Sequence, residues 1–132
     1  MSPSPSDEFH PRDRTWRQKF RDAFRGLRCG LQDQNSFHVH FAVAAAVTVA
    51  AVVLRARYLE WAVLLLCVTL VIGAEMFNTA LEHLAKAIDR THNPHLGNAL
   101  DIGSAAVLLT ACGAVAVGAL VLLLRFREWW LG

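Results

Sequence analysis

Apolar and polar positions alternate along this chain in four long blocks. Residues 1–13 hold Ser-Pro-Ser-Pro-Ser and scattered charge, a composition that buries little apolar surface and predicts a disordered tail. A helical period begins at Arg14. Trp16, Phe20, Phe24, Leu27 and Leu31 recur at spacings of four, four, three and four, and Arg14, Arg17, Arg21, Arg25 and Arg28 form a second stripe beside them. An apolar stripe flanked by a cationic one predicts a helix over about 14–35 lying in a membrane interface, its arginines reaching up to headgroups. An ordinary surface helix is the alternative.

Three uncharged apolar runs follow. Phe37 to Leu54 lacks Asp, Glu, Lys and Arg; at this length it sits near the lower limit for crossing about 30 Å of hydrocarbon. Trp61 opens the second run, uncharged through Ala74. With no Pro or Gly between Glu75 and Asp89, that helix is expected to extend over about 59–89. Asn93-Pro94 and Gly97 are expected to form the loop after it, and Asn98 is a candidate cap for the next helix. Ile102 to Leu124 carries no charge and predicts a third span over about 101–124, with Gly103, Ser104, Ala105, Ala106, Gly113 and Gly118 as small positions for close helix contact. The expected fold is thus all-α and membrane-integral, with three spans preceded by a surface helix, in one domain over 14–132.

Composition agrees: 55% of the 132 residues are hydrophobic, more than the ~45–50% usual in soluble domains. Lys and Arg are unevenly placed. Seven precede the first run and two (Lys86, Arg90) lie in the second loop, against two (Arg55, Arg57) in the first loop and two (Arg125, Arg127) at the end. The bias predicts a multi-pass topology with the N-terminus and second loop in the cytoplasm, and gathers Trp61, Trp129 and Trp130 at the opposite interface. Beside spans, the basic segment points to anionic headgroups rather than nucleic acid. Cys29, Cys67 and Cys112 are unpatterned and imply no metal site or disulfide.

The chemistry lies in Glu75-Met-Phe-Asn-Thr-Ala-Leu-Glu82. On a helix Glu75, Asn78, Thr79 and Glu82 share one face. Carboxylates in a membrane helix are costly unless paired, solvated or bound to a cation. Two carboxylates and an amide suit magnesium-dependent phosphoryl transfer, one binding Mg²⁺ and the other taking a proton. By itself the stripe is equally a polar seam that specifies helix packing. His38, His40 and His83 are expected to be hydrogen-bonded or solvated rather than metal ligands.

The segment resembles the signature of the prokaryotic diacylglycerol kinase and undecaprenol kinase family, Glu-x-x-Asn-(Thr/Ser)-Ala-Ile-Glu followed by Lys-Asp-x-(Gly/Ala)-(Ser/Ala)-Ala-Ala-Val. Here Glu75, then Asn78-Thr79-Ala80-Leu81-Glu82, match the first part, and Asp101-Ile102-Gly103-Ser104-Ala105-Ala106-Val107 the second. Phe24-Arg25-Gly26-Leu27-Arg28 and Phe37-His38-Val39-His40 resemble the family's surface helix and the start of its first span. The similarity covers about residues 14–124.

The resemblance implies a homotrimer in the bacterial cytoplasmic (inner) membrane, with active sites between subunits. These would phosphorylate a lipid alcohol, undecaprenol or diacylglycerol, from ATP with Mg²⁺. It places Glu75 as the catalytic base and Glu82 as a metal ligand. It also places Asn78, Asp101 and the loop residues Thr91, His92 and Asn93 at the nucleotide. Asp101 is equally suited to favour the first turn of the third helix through the helix dipole.

Three positions depart from the pattern. Gln34 stands where a metal-binding acid is usual and offers only a neutral carbonyl. Lys86 stands where an acid is usual, and Leu100 where a lysine is usual. A cation lost at Leu100 and gained at Lys86 suggests that Lys86 neutralises phosphate; a plain Glu82–Lys86 pair is the alternative. The departures also admit a second function, a catalytically inert member acting as a membrane scaffold or partner subunit. A transporter would need a polar path, and the first and third spans carry no charge to line one.

Overall fold

The computed structural model describes residues 15–32, 36–88 and 93–132. They form four helices: α1 (Trp16–Gln32), α2 (Ser36–Val53), α3 (Tyr58–Ile88) and α4 (Pro94–Leu131).

Each helix end is set by local chemistry. Thr15 and Gln18 make a capping box at α1: the Thr15 N–H donates to Gln18 Oε1 at 2.9 Å, and the Gln18 N–H to Thr15 Oγ1 at 3.4 Å. At the end of α2 the Ala56 N–H donates to Ala51 O and the Arg55 N–H to Val52 O. This Schellman closure needs a left-handed residue, supplied by Arg55 at φ 53°. The chain turns straight into α3, where Glu60 accepts from the Arg57 N–H at 2.6 Å.

The start of α4 corrects the sequence expectation. Asn93 Oδ1 accepts from the His95 and Leu96 N–H groups, and Pro94 occupies the first helical turn. Asn-Pro here is a cap followed by a preset φ, not a loop. Gly97 is therefore helical, Asn98 caps nothing, and Asp101 lies two turns inside the helix rather than in its first turn. The helix also runs past Leu124 to Leu131.

α3 and α4 form the principal pair. Leu64 lies beside Gly118 and Asn78 beside Gly103. The two position sums nearly agree, as an antiparallel register requires. α2 packs on both, and α1 meets α3 where Gly30 faces Met76.

Among the described residues the fully buried apolar side chains are Ala51, Leu64, Val71 and Ala85, whereas Glu75, Asn78 and Thr79 are buried and polar. Large apolar side chains such as Leu66, Leu70, Leu109 and Leu120 face outward. Such a distribution in a single chain leaves apolar faces for lipid or further protein to cover. By length and composition α3 and α4 are able to cross a membrane; the apolar stretch of α2, His38–Val53, is shorter than the ~20 residues of a full span.

Candidate functional site

The polar face predicted on α3 forms the buried centre of the bundle. Glu75 points toward α2, where His40 Nε2 lies 2.7 Å from Glu75 Oε1; the two side chains are 21% and 6% exposed. A turn further on, Asn78 Nδ2 donates to Glu82 Oε1 at 3.2 Å. Thr79 Oγ1 donates to the main-chain oxygen of Glu75 at 2.9 Å, satisfying its hydroxyl within the helix. Asn78 Oδ1 is buried without a hydrogen-bond partner among the described residues.

α4 closes this centre with a glycine. A Cβ on Gly103 would stand 2.5 Å from Asn78 Oδ1 and 3.1 Å from Leu81 Cδ1. A larger residue here requires Asn78 or Leu81 to shift, so Gly103 permits the close approach of α4 to the polar face.

Glu75 and Glu82 are separated by two turns, about 10 Å along the axis. Glu75 turns to His40 and Glu82 to Asn78, so the two carboxylates serve different groups. Glu75 is the buried carboxylate; Glu82 is partly exposed. Among the described residues no group of three or more His, Cys, Asp or Glu side chains forms a metal cluster.

The other predicted positions spread around this centre. Asp101 precedes Gly103 on α4 and is exposed, as is Lys86 on the last turn of α3. Asn93 spends its side-chain oxygen on the α4 cap. Gln34, Thr91 and His92 lie outside the described residues.

His40 is the residue that the sequence did not single out as functional. Its expected fate, a hydrogen bond, is met, but the partner is the buried carboxylate itself. His40 also borders an apolar cavity of about 460 Å³ between α2, α3 and α4, walled by Val43, Val47, Leu64, Val71, Val115 and Leu122 among others. The cavity has its polar edge at the imidazole that holds Glu75.

Residues 21–122 match the family described as prokaryotic diacylglycerol kinase. An undecaprenol kinase of Bacillus subtilis is 28% identical over 106 residues, covering 80% of this chain and 86% of that protein. A diacylglycerol kinase of Synechocystis is 35% identical over 105 residues, covering 79% of this chain and 60% of that protein. No solved structure matches the chain. The polar face on α3, the glycine contact from α4 and these similarities agree: the chain belongs to the prokaryotic diacylglycerol kinase family and is a lipid kinase.

Proposed function

We propose that the chain transfers the γ-phosphoryl group of ATP to the hydroxyl of a membrane lipid alcohol, undecaprenol or diacylglycerol, where α3 leaves the bilayer on the cytoplasmic side. The observation that carries this reading is the buried Glu75 carboxylate, two turns from Glu82 and held by His40, whose ring lines an apolar cavity. A lipid whose tail occupies the cavity brings its hydroxyl to Glu75. The carboxylate accepts the hydroxyl proton as the oxygen bonds to phosphorus. The bond from the γ-phosphorus to the β-γ bridging oxygen breaks, and ADP leaves.

The donor set fits a magnesium ion carried in by the nucleotide. Mg²⁺ commonly takes one or two protein carboxylates and fills its shell with water and phosphate oxygens. Glu82 offers one carboxylate, oriented by the Asn78 amide nitrogen one turn away; Gln34 is a second candidate by sequence. When bound, the ion neutralises charge on the phosphates. Asp101 and Lys86, exposed at the same end of the helix pair, are assigned to the nucleotide, as is Asn93. The outward apolar faces of α2, α3 and α4 suit packing as a homotrimer within the cytoplasmic membrane, N-terminus inside.

The purified chain in lipid vesicles, supplied with γ-labelled ATP, Mg²⁺ and either undecaprenol or diacylglycerol, tests this. Label is expected in one lipid and is expected to fall by about 100-fold or more in Glu75→Gln. An intact oligomer that labels neither lipid points instead to a scaffold.

A further inference from the structure

We propose that His40 is a positioning residue for phosphoryl transfer: its imidazole aims the Glu75 carboxylate at the substrate hydroxyl. The assignment deepens the kinase reading and rests on it.

Among the described residues His40 is the only hydrogen-bond partner of the Glu75 carboxylate. Thr79, the other neighbour, donates to the main-chain oxygen instead. A carboxylate this buried needs a donor, and a donor on Oε1 restricts how the group can turn. With its proton on Nε2 the imidazole donates to Oε1, leaving Oε2 to accept the hydroxyl proton. The imidazole keeps its own proton throughout. Its task is geometric, as reacting groups must be held within a few tenths of an ångström of their working positions.

The partner is also in the right place to respond to substrate. His40 is carried by α2, Glu75 by α3, and His40 lines the apolar cavity between them. Its neighbour on the same turn, His38, is exposed. A tail seated in the cavity packs against the ring that sets the base, so occupancy by lipid and alignment of the carboxylate are joined through one side chain.

The test compares His40→Ala, His40→Gln and His40→Asn with the wild-type chain in the same vesicles, with kcat and KM for ATP and for the lipid measured separately. A glutamine amide nitrogen falls near the place of imidazole Nε2; that of asparagine falls short of it. His40→Ala is expected to lower kcat by about 10- to 100-fold, the lower part of what a positioned base contributes, with KM for ATP little changed. His40→Gln is expected to recover most of that loss and His40→Asn little of it. In a Glu75→Gln background His40→Ala is expected to cost nothing further in kcat, since the group it aims is gone. Thermal melting and oligomer size identify any variant that fails to fold, and the Gln/Asn contrast then carries the test.

Wild-type kcat in His40→Ala, or equal activity in folded Gln and Asn variants, would overturn the positioning role while leaving the kinase reading intact. A wild-type chain that phosphorylates no lipid alcohol would overturn the kinase reading and the positioning role with it.

Discussion

Gly103 of α4 lies so close to Asn78 of α3 that one added methyl group would stand 2.5 Å from the amide oxygen. The contact joins the two motifs of the family signature, which are 25 residues apart in sequence (78 to 103). The second motif therefore acts partly through what it lacks. A Cβ there would push α4 outward or turn Asn78 away from Glu82.

Gly103→Ala is expected to destabilise the bundle by about 1–3 kcal/mol, the usual cost of overpacking, and to reduce turnover beyond what the loss of folded protein explains. Thermal melting and kcat per folded molecule separate the two effects. A fully active, equally stable alanine variant would show that the helices have room to spare.

Lys86 occupies the last turn of α3, exposed and one turn beyond Glu82. If it neutralises phosphate, Lys86→Ala is expected to lower kcat/KM for ATP by about tenfold or more, the scale of a hydrogen bond to a charged group. Lys86→Arg is expected to keep part of the activity. A cation at a helix C-terminus also steadies the helix, so the melting temperature is recorded beside the kinetics. Wild-type kinetics in the alanine variant would leave only that structural part.

The end of the bundle opposite the site is held by Arg125. Its Nε donates to Leu54 O at 3.0 Å and its Nη2 to Arg55 O at 2.7 Å. Nη1 meets Glu128 at 2.8 Å, and Glu60 lies 3.8 Å from Nε. Arg125→Gln is expected to cost about 1.5–3 kcal/mol, as charged hydrogen bonds do, with turnover at low temperature close to the wild-type level. Equilibrium unfolding in a fixed lipid or detergent measures it.

Arg55 sits at φ 53°, where a side chain costs about 1–2 kcal/mol relative to a right-handed residue. The backbone, not the guanidinium, performs the turn, through Val52 O and the carbonyl that Arg125 grips. Arg55→Gly is expected to raise stability by about 0.5–1 kcal/mol once the flexibility glycine adds to the unfolded chain is counted. A lower melting temperature would mean that the Arg55 side chain contributes more than the strain it imposes.

The sequence made some of these features legible and not others. The α3 face at Glu75, Asn78, Thr79 and Glu82 was readable because its residues are a few positions apart and a helix obeys one period. α1 was readable for the same reason, down to its apolar and cationic stripes. The start of α4 was not, because Asn93-Pro94 is the same dipeptide whether it opens a turn or caps a helix; only the hydrogen bonds to His95 and Leu96 distinguish the two. His40 was hidden for another reason. Its partner is 35 residues away, and no local spacing encodes a contact made by two helices packing side by side. Gly103 stood out as a small residue, but not as the one on which Asn78 closes.

α2 is fastened at both ends and spaced from its neighbours between them. Leu54 and Arg55 are gripped by Arg125 at one end, and His40 reaches Glu75 at the other. The empty volume lies along the length between these anchors, while α3 and α4 are in direct contact through Gly103 and Gly118. A hydrocarbon tail seated there, as the proposed reaction requires, would bear on the middle of α2 while both of its ends stay tied.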